Sequence, residues 1–134
     1  MKKTYTGSCH CGKVTYSAEV DLSSGTGKCN CTICSKTRNW SISMKPDDLT
    51  ILTGQENETD YQWGSNTIHN YFCNTCGVRT HGSGNIPEMG GAFATIQIST
   101  IDNITPEELA DLKVGYSDGL HNNWMNPPEI TSYL

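Results

Sequence analysis

The sequence has no long hydrophobic run and few basic residues. No stretch approaches the roughly 18 consecutive apolar residues of a transmembrane helix, and Met1-Lys2-Lys3 is followed by polar residues, not by the apolar core of a signal peptide. Nine Lys and Arg stand against 14 Asp and Glu, a net charge of -5, which gives no electrostatic attraction to nucleic acid or an anionic membrane. These absences predict a soluble, cytoplasmic protein with neither nucleic acid nor membrane as a partner.

Nucleotide-binding and serine-hydrolase motifs are also absent. The sequence contains no Gly-x-Gly-x-x-Gly pattern, no phosphate-binding loop and no nucleophile elbow. Functions that depend on those motifs therefore lack support.

Hydrophobic residues are scarce: they make up 35% of the 134 residues, which is below the usual value of about 45 to 50% for a globular chain even after allowing for the 13 glycines that are counted separately. The length fits a single domain over residues 1–134, and its thin core favours an additional crosslink. Seven cysteines can supply one. A reducing compartment disfavours disulfides, and an odd count would leave one thiol unpaired, so metal binding or catalysis is the better interpretation.

Most segments with a recognisable pattern predict β-strands, because apolar and polar residues alternate between Gly, Asn or Pro boundaries. The predicted strands cover 4–6, 13–20, 40–44, 49–53, 58–63, 68–72 and 92–99. Thr105, Pro106 and Glu108 predict one short helix that continues to Leu112. Residues 82–85 are predicted to form a mobile loop, and 115–134 irregular coil. The predicted fold class is a small, mainly antiparallel β domain in which the cysteine turns converge.

The cysteines fall into three groups, Cys9-His10-Cys11, the run 29–34 and the run 73–76. A tight turn with two cysteines presents both sulfurs to one metal ion, and Gly12 and Gly77 suit the positive φ that closes such a turn. We group Cys9, Cys11, Cys73 and Cys76 as the quartet, a closed zinc site that ties two parts of the chain together. Cys29, Cys31 and Cys34 form the trio, which leaves a fourth tetrahedral position open to water or substrate.

Spacing alone permits another arrangement. Cys31 and Cys34 with Cys73 and Cys76 would form a zinc ribbon of two Cys-x-x-Cys knuckles and would strand the other three cysteines. A third interpretation treats some cysteines as small buried hydrophobes, although gaps of one and two residues argue against it.

The combined pattern resembles the glutathione-dependent formaldehyde-activating enzyme family, which includes centromere protein V. The resemblance is carried by Gly7-Ser8-Cys9-His10-Cys11-Gly12, by Cys29-Asn30-Cys31-Thr32-Ile33-Cys34 and by Phe72-Cys73-Asn74-Thr75-Cys76-Gly77. Asp118-Gly119-Leu120-His121, Trp124 and Asn126-Pro127-Pro128 resemble the family's C-terminal segment.

This resemblance implies a zinc-stapled β-tent fold with two zinc ions. The quartet would hold a structural zinc, and the trio Cys29, Cys31 and Cys34 would hold a catalytic zinc. The implied activity is that of a carbon-sulfur lyase, in which glutathione and formaldehyde condense to S-hydroxymethylglutathione. A small thiol such as glutathione is the implied partner.

Basic, histidine and aromatic residues are further candidates for the site, and each also has a plain structural interpretation. Lys28, Lys36 and Arg38 are the basic residues nearest the trio in sequence, and Arg79 follows the last cysteine turn. All four are candidates to hold the carboxylates of glutathione, although a solvated surface position is the default for each. His81 is a candidate proton shuttle or fourth ligand of the trio. Trp40 can wall a substrate pocket, but packing is the commoner role of an aromatic residue.

Two other functions fit the same cysteines. A non-catalytic zinc module that binds a protein partner would have the trio closed by His81 or another residue. A redox switch would instead form a reversible disulfide between Cys31 and Cys34.

Overall fold

The computed structural model describes residues 1–134, which form ten strands in two sheets and two short α-helices. The first sheet is an antiparallel three-stranded sheet in the order β1-β2-β5. Its strands are β1 (Lys3–Ser8), β2 (Thr15–Val20) and β5 (Leu49–Thr53). A Cβ on Gly7 would lie 2.2 Å from the ring of Tyr16, so glycine at this position lets β1 and the buried tyrosine approach closely.

The second sheet has seven strands in the order β10-β3-β4-β9-β8-β7-β6. These are β3 (Thr26–Cys29), β4 (Ser41–Met44), β6 (Glu58–Tyr61), β7 (Ile68–Cys73), β8 (Arg79–Ile86), β9 (Gly91–Gln97) and β10 (Val114–Ser117). All neighbours pair antiparallel except β10, which pairs parallel with β3 at the sheet edge and places Ser117 beside Cys29.

The helices are α1 (Thr32–Thr37) and α2 (Pro106–Asp111). The Oγ1 of Thr105 accepts a hydrogen bond from the backbone N–H of Glu108, so α2 begins with the cap that the sequence predicts. Each helix has six residues, and neither is long and apolar enough to cross a membrane.

The hydrophobic core is small and lies between the two sheets. Tyr16 and Ala18 from β2 pack with Ile42 from β4 and Ile96 from β9, and all four are buried. A second, separate cluster consists of Cys9, Val14 and Cys73, with Val78 packed against it. The second cluster therefore contains two cysteines of the quartet, Cys9 and Cys73.

The mainly β fold is confirmed, and two local predictions are wrong. Residues 82–85 belong to β8 and do not form a loop, and β10 begins the segment that was predicted as coil. The sequence of β8, Arg-Thr-His-Gly-Ser-Gly-Asn-Ile, has little intrinsic strand preference. Hydrogen bonding to β7 on one side and β9 on the other stabilises it as a strand.

Candidate metal centres and their surroundings

The quartet brings together four sulfurs from two distant turns. Cys9 and Cys11 follow β1, and Cys73 and Cys76 lie at the turn between β7 and β8. All four Sγ atoms lie within 4.8 Å of one another. The Sγ of Cys11 is 3.6 Å from the Sγ of Cys9 and 3.6 Å from that of Cys73. This cluster therefore joins the N-terminal hairpin of one sheet to a hairpin of the other.

The two turns of the quartet are closed in the same way. The N–H of Cys9 donates to the carbonyl of Val14 at 3.0 Å, and the N–H of Cys73 donates to the carbonyl of Val78 at 3.0 Å. Gly12 and Gly77 follow the second cysteine of each turn with φ of 81° and 79°, as predicted. Equivalent backbone geometry at both turns presents the sulfurs toward one point.

Backbone N–H groups also set the electrostatics of the quartet. The N–H groups of Cys76 and Thr75 lower the pKa of Cys73, and those of Cys11 and Val78 lower the pKa of Cys76 to about 6. At Cys11 the N–H of Lys13 lowers the pKa, but burial and the neighbouring thiols outweigh it and raise the pKa to about 11. Two members of the quartet are thus biased toward the thiolate, the form that binds a metal.

The quartet has the dimensions of a tetrahedral zinc site. A Zn–S bond of about 2.3 Å and a tetrahedral angle place neighbouring sulfurs roughly 3.8 Å apart. The two Sγ–Sγ distances of 3.6 Å are close to that value. A set of four thiols is also the donor set that structural zinc prefers. The residues fit zinc, and their ligation of a metal stays a prediction.

The trio is a separate cluster at the end of β3 and the start of α1. Cys29 ends β3, Cys31 caps α1 and Cys34 lies within the helix. Their three Sγ atoms lie within 4.8 Å of one another, and no histidine, aspartate, glutamate or other cysteine joins them. The Sγ of Cys29 accepts a hydrogen bond from the N–H of Cys31 at 3.4 Å. The trio can therefore offer a metal three sulfurs and leave one position free.

The trio differs electrostatically from the quartet. Burial raises the pKa of Cys29, and burial with the neighbouring Cys31 raises that of Cys34. Arg79 is a cation near the trio. Burial lowers the pKa of its guanidinium, whereas the thiolates of Cys34 and Cys31 favour its charged form. The Nε of Arg79 is buried without a hydrogen-bond partner. A positive charge is therefore available to offset negative charge on the trio.

The segment after β10, residues 118–134, packs against the trio, and the sequence did not predict this position for it. The side chain of Asn30 donates to Asp118 at 2.7 Å and accepts from the N–H of Leu120 at 3.0 Å. The carboxylate of Asp118 also contacts the Nδ1 of His121 at 2.9 Å. Gly119 packs directly on the trio, since a Cβ there would lie 2.7 Å from the Sγ of Cys29. The polar pair Asn30 and Asp118 thus fixes the wall of the site.

His81 does not lie with the trio. Its Nε2 is 2.6 Å from a carboxylate oxygen of Glu58, and its ring stacks on Tyr71 with a centroid separation of 4.6 Å. These partners belong to β6 and β7, so the structure gives His81 no place as a fourth ligand. The sulfurs of the trio and quartet also form two distinct clusters, which is not the zinc-ribbon arrangement.

The remaining candidates divide between packing and the trio pocket. Trp40 packs against the main core, and its Nε1 donates to the Oγ1 of Thr26 at 2.8 Å, as expected for a packing residue. Lys28 and Arg38 line a pocket beside the trio, whereas Lys36 does not.

A model of the glutathione-dependent formaldehyde-activating enzyme family matches residues 4–117. The match includes all seven cysteines and ends before the segment that covers the trio. The fold is similar to the crystal structure of a Rhodobacter sphaeroides protein, with a TM-score of 0.68 and 26% sequence identity. That similarity covers 82% of this chain and 99% of the other.

Proposed function

This chain belongs to the glutathione-dependent formaldehyde-activating enzyme family, and on that premise we propose that it is a zinc-dependent carbon-sulfur lyase that acts on a small thiol. The proposed reaction is the condensation of glutathione with formaldehyde to S-hydroxymethylglutathione, and the trio is its site. The observation that carries the proposal is a cluster of three thiols with no fourth side-chain donor beside a second cluster with four.

In the proposed reaction the thiol sulfur attacks the carbon of formaldehyde. A carbon-sulfur bond forms, the π pair of the carbonyl moves to oxygen, and that oxygen takes up the proton that the thiol gives up. No electron is gained or lost overall. A zinc ion, when bound, would lower the pKa of a thiol at its open position and so supply the reactive thiolate.

The chain's own residues would prepare the site for this thiolate. Three cysteine thiolates and a divalent ion carry a net charge of about -1, and a substrate thiolate would bring this to about -2. The guanidinium of Arg79 interacts favourably with the charges of Cys34 and Cys31, so it would offset part of that negative charge. Gly119 closes one side of Cys29 and would limit the directions from which a substrate can approach.

The quartet would have a structural role in the same proposal. It links two hairpins across the small core, and Cys9 and Cys73 are almost completely buried. A zinc ion held there would contribute to folding, on the order of 10 kcal/mol in small zinc domains. Chemistry and stabilisation would therefore be divided between two ions.

The test is an exchange measurement with ¹³C-formaldehyde and glutathione, followed by NMR in the presence of the zinc-loaded protein. The unaltered protein should accelerate exchange between free and thiol-bound formaldehyde. Cys31→Ala should lose one of two zinc ions together with the acceleration. Thr32→Ala is the matched control, because Thr32 lies in the same turn, is exposed and has no sulfur. It should retain both ions and the acceleration.

Two results would contradict the proposal. If protein with two zinc ions gave no acceleration over the spontaneous reaction, formaldehyde would be excluded as the substrate. If Cys31→Ala kept the full acceleration, the trio would not be the reacting site.

A further inference from the structure

A small pocket lies beside the trio, and Leu134 forms part of its wall. Besides Cys29 and Cys34, it is lined by Lys28, Arg38 and Leu134, together with Ser35 and Asn39. Its free volume is about 20 Å³, which holds roughly one water molecule. A pocket of this volume is too small for a thiol the size of glutathione, and Leu134 forms part of its wall.

Two cations hold this last part of the chain by its backbone. The Nζ of Lys28 donates to the main-chain oxygen of Leu134 at 3.2 Å, and the Nη1 of Arg38 donates to the main-chain oxygen of Tyr133 at 2.5 Å. The side chain of Tyr133 is about half exposed and contributes little buried surface. Both hydrogen bonds from these cations go to main-chain oxygens of residues 133–134, and a competing ligand can replace them.

The same elements that carry the trio position both cations. Lys28 precedes Cys29 in β3, and its ammonium lies 5.1 Å from the ring centroid of Trp40. Arg38 ends α1 in the left-handed conformation, with φ of 55°, and its backbone N–H bonds the carbonyl of Cys34. An ammonium and a guanidinium beside the sulfurs are suited to bind a carboxylate, because hydrogen bonds between charged groups are stronger than those between neutral groups.

We propose that Lys28 and Arg38 form a carboxylate subsite beside the trio, and that residues 133–134 occupy it until a carboxylate-bearing thiol displaces them. The inference rests on the proposed function for the thiol and adds a selectivity for its acidic end. Residues 133–134 lie beyond the family match, which ends at residue 117.

The test compares two thiols of similar size, 3-mercaptopropionate and 2-mercaptoethanol, of which only the first has a carboxylate. Binding to the zinc-loaded protein is measured by isothermal titration calorimetry at constant ionic strength. The unaltered protein should prefer 3-mercaptopropionate. The double variant Lys28→Ala, Arg38→Ala should lose about tenfold or more of that preference, because two charge-assisted hydrogen bonds disappear.

A variant that ends at Ser132 should bind both thiols several-fold more tightly, since the competing segment is gone. Lys36→Ala is the matched control: it removes one positive charge from α1, but Lys36 does not line the pocket. It should leave the preference unchanged. Circular dichroism and zinc content establish that each variant is folded and loaded.

The outcomes separate this inference from the proposed function. Equal affinity for the two thiols in the unaltered protein overturns the subsite and leaves thiol binding intact. An unchanged affinity in the variant that ends at Ser132 overturns the competition. If sodium propionate shifts the NMR signals of Tyr133 and Leu134 while 3-mercaptopropionate binds no more tightly than propionate and 2-mercaptoethanol does not bind, the subsite stands and the proposed function fails.

Discussion

Replacing Gly119 with alanine would test whether the segment after β10 packs directly on the trio. A Cβ at this position would lie 2.7 Å from the Sγ of Cys29 and 2.5 Å from Cζ3 of Trp124. Non-bonded heavy atoms normally approach to about 3.5–4.0 Å, so the sulfur must retreat by roughly 1 Å. Trp124 is half exposed and can turn away, whereas the sulfur can retreat only by moving within the trio.

The magnitude follows from the cost of overpacking. Inserting a methyl group into a closely packed site costs about 1–3 kcal/mol, which corresponds to about five- to 150-fold in affinity. Metal sites tolerate deviations of only about 0.2 Å in ligand distance. We therefore expect Gly119→Ala to weaken zinc binding at the trio by about five- to 150-fold and to leave the quartet unchanged.

The assay is competition for zinc with a chromophoric chelator, which resolves the two ions by affinity, together with thermal unfolding. Gly115→Ala is the matched control, because Gly115 lies on β10 and its added Cβ would make an ordinary contact of 3.7 Å with the carbonyl oxygen of Thr26. This control should bind both ions as the unaltered protein does.

A double variant identifies which clash matters. If Gly119→Ala acts through the sulfur of Cys29, adding Trp124→Ala should not restore zinc affinity. Full restoration by Trp124→Ala would refute the reasoning, because the indole would then be the only obstacle. Unchanged zinc affinity in the single variant would refute it as well.

Two further predictions concern protonation. Burial raises the pKa of Tyr16 to about 12, so the stability that its neutral form contributes is present below about pH 10 and is lost as the pH rises toward 12. Tyr16→Phe should lower the free energy of unfolding by about 1 kcal/mol at pH 7, because the hydrogen bond to Thr100 is lost. Between pH 9 and 11.5 this variant should lose less stability than the unaltered protein, as measured by guanidinium unfolding. In the trio the pKa is raised for Cys29 and Cys34, whereas in the quartet it is raised for Cys11 and lowered for Cys73 and Cys76. We therefore expect metal binding at the trio to release more protons. Zinc affinity at the trio should therefore rise more steeply from pH 6 to 8 than at the quartet, and equal slopes in chelator competition would contradict this assignment.

The sequence could predict the elements whose local pattern agrees with their final environment. Strands with clear alternation, such as β9, and the capped helix α2 are found where they were predicted. The two Cys-Gly turns are found with positive φ at Gly12 and Gly77 because one residue type meets a local backbone requirement. These features depend on residues within a few positions of one another.

What the sequence could not predict depends on contacts between distant residues. The strand β8 is polar and rich in glycine, and it forms because strands on both sides satisfy its hydrogen bonds. Asp118 bonds Asn30, which lies 88 positions away, and Leu134 bonds Lys28 across 106 positions. No local pattern encodes these pairs, so the walls of the trio pocket emerge only from the fold.

The parallel pairing of β10 with β3 links these distant contacts to the trio. It sets Ser117 beside Cys29, and from that point the chain turns over the sulfurs through Gly119 and returns at Leu134. The quartet, by contrast, lies between the two turns that supply its sulfurs, with Cys9 and Cys73 buried and Cys11 exposed. Residues of the segment 118–134, which lies outside the family match, therefore form part of the wall around the trio. The surroundings of the trio therefore depend on contacts that residues 118–134 make with β3 and α1, and not on the three cysteines alone.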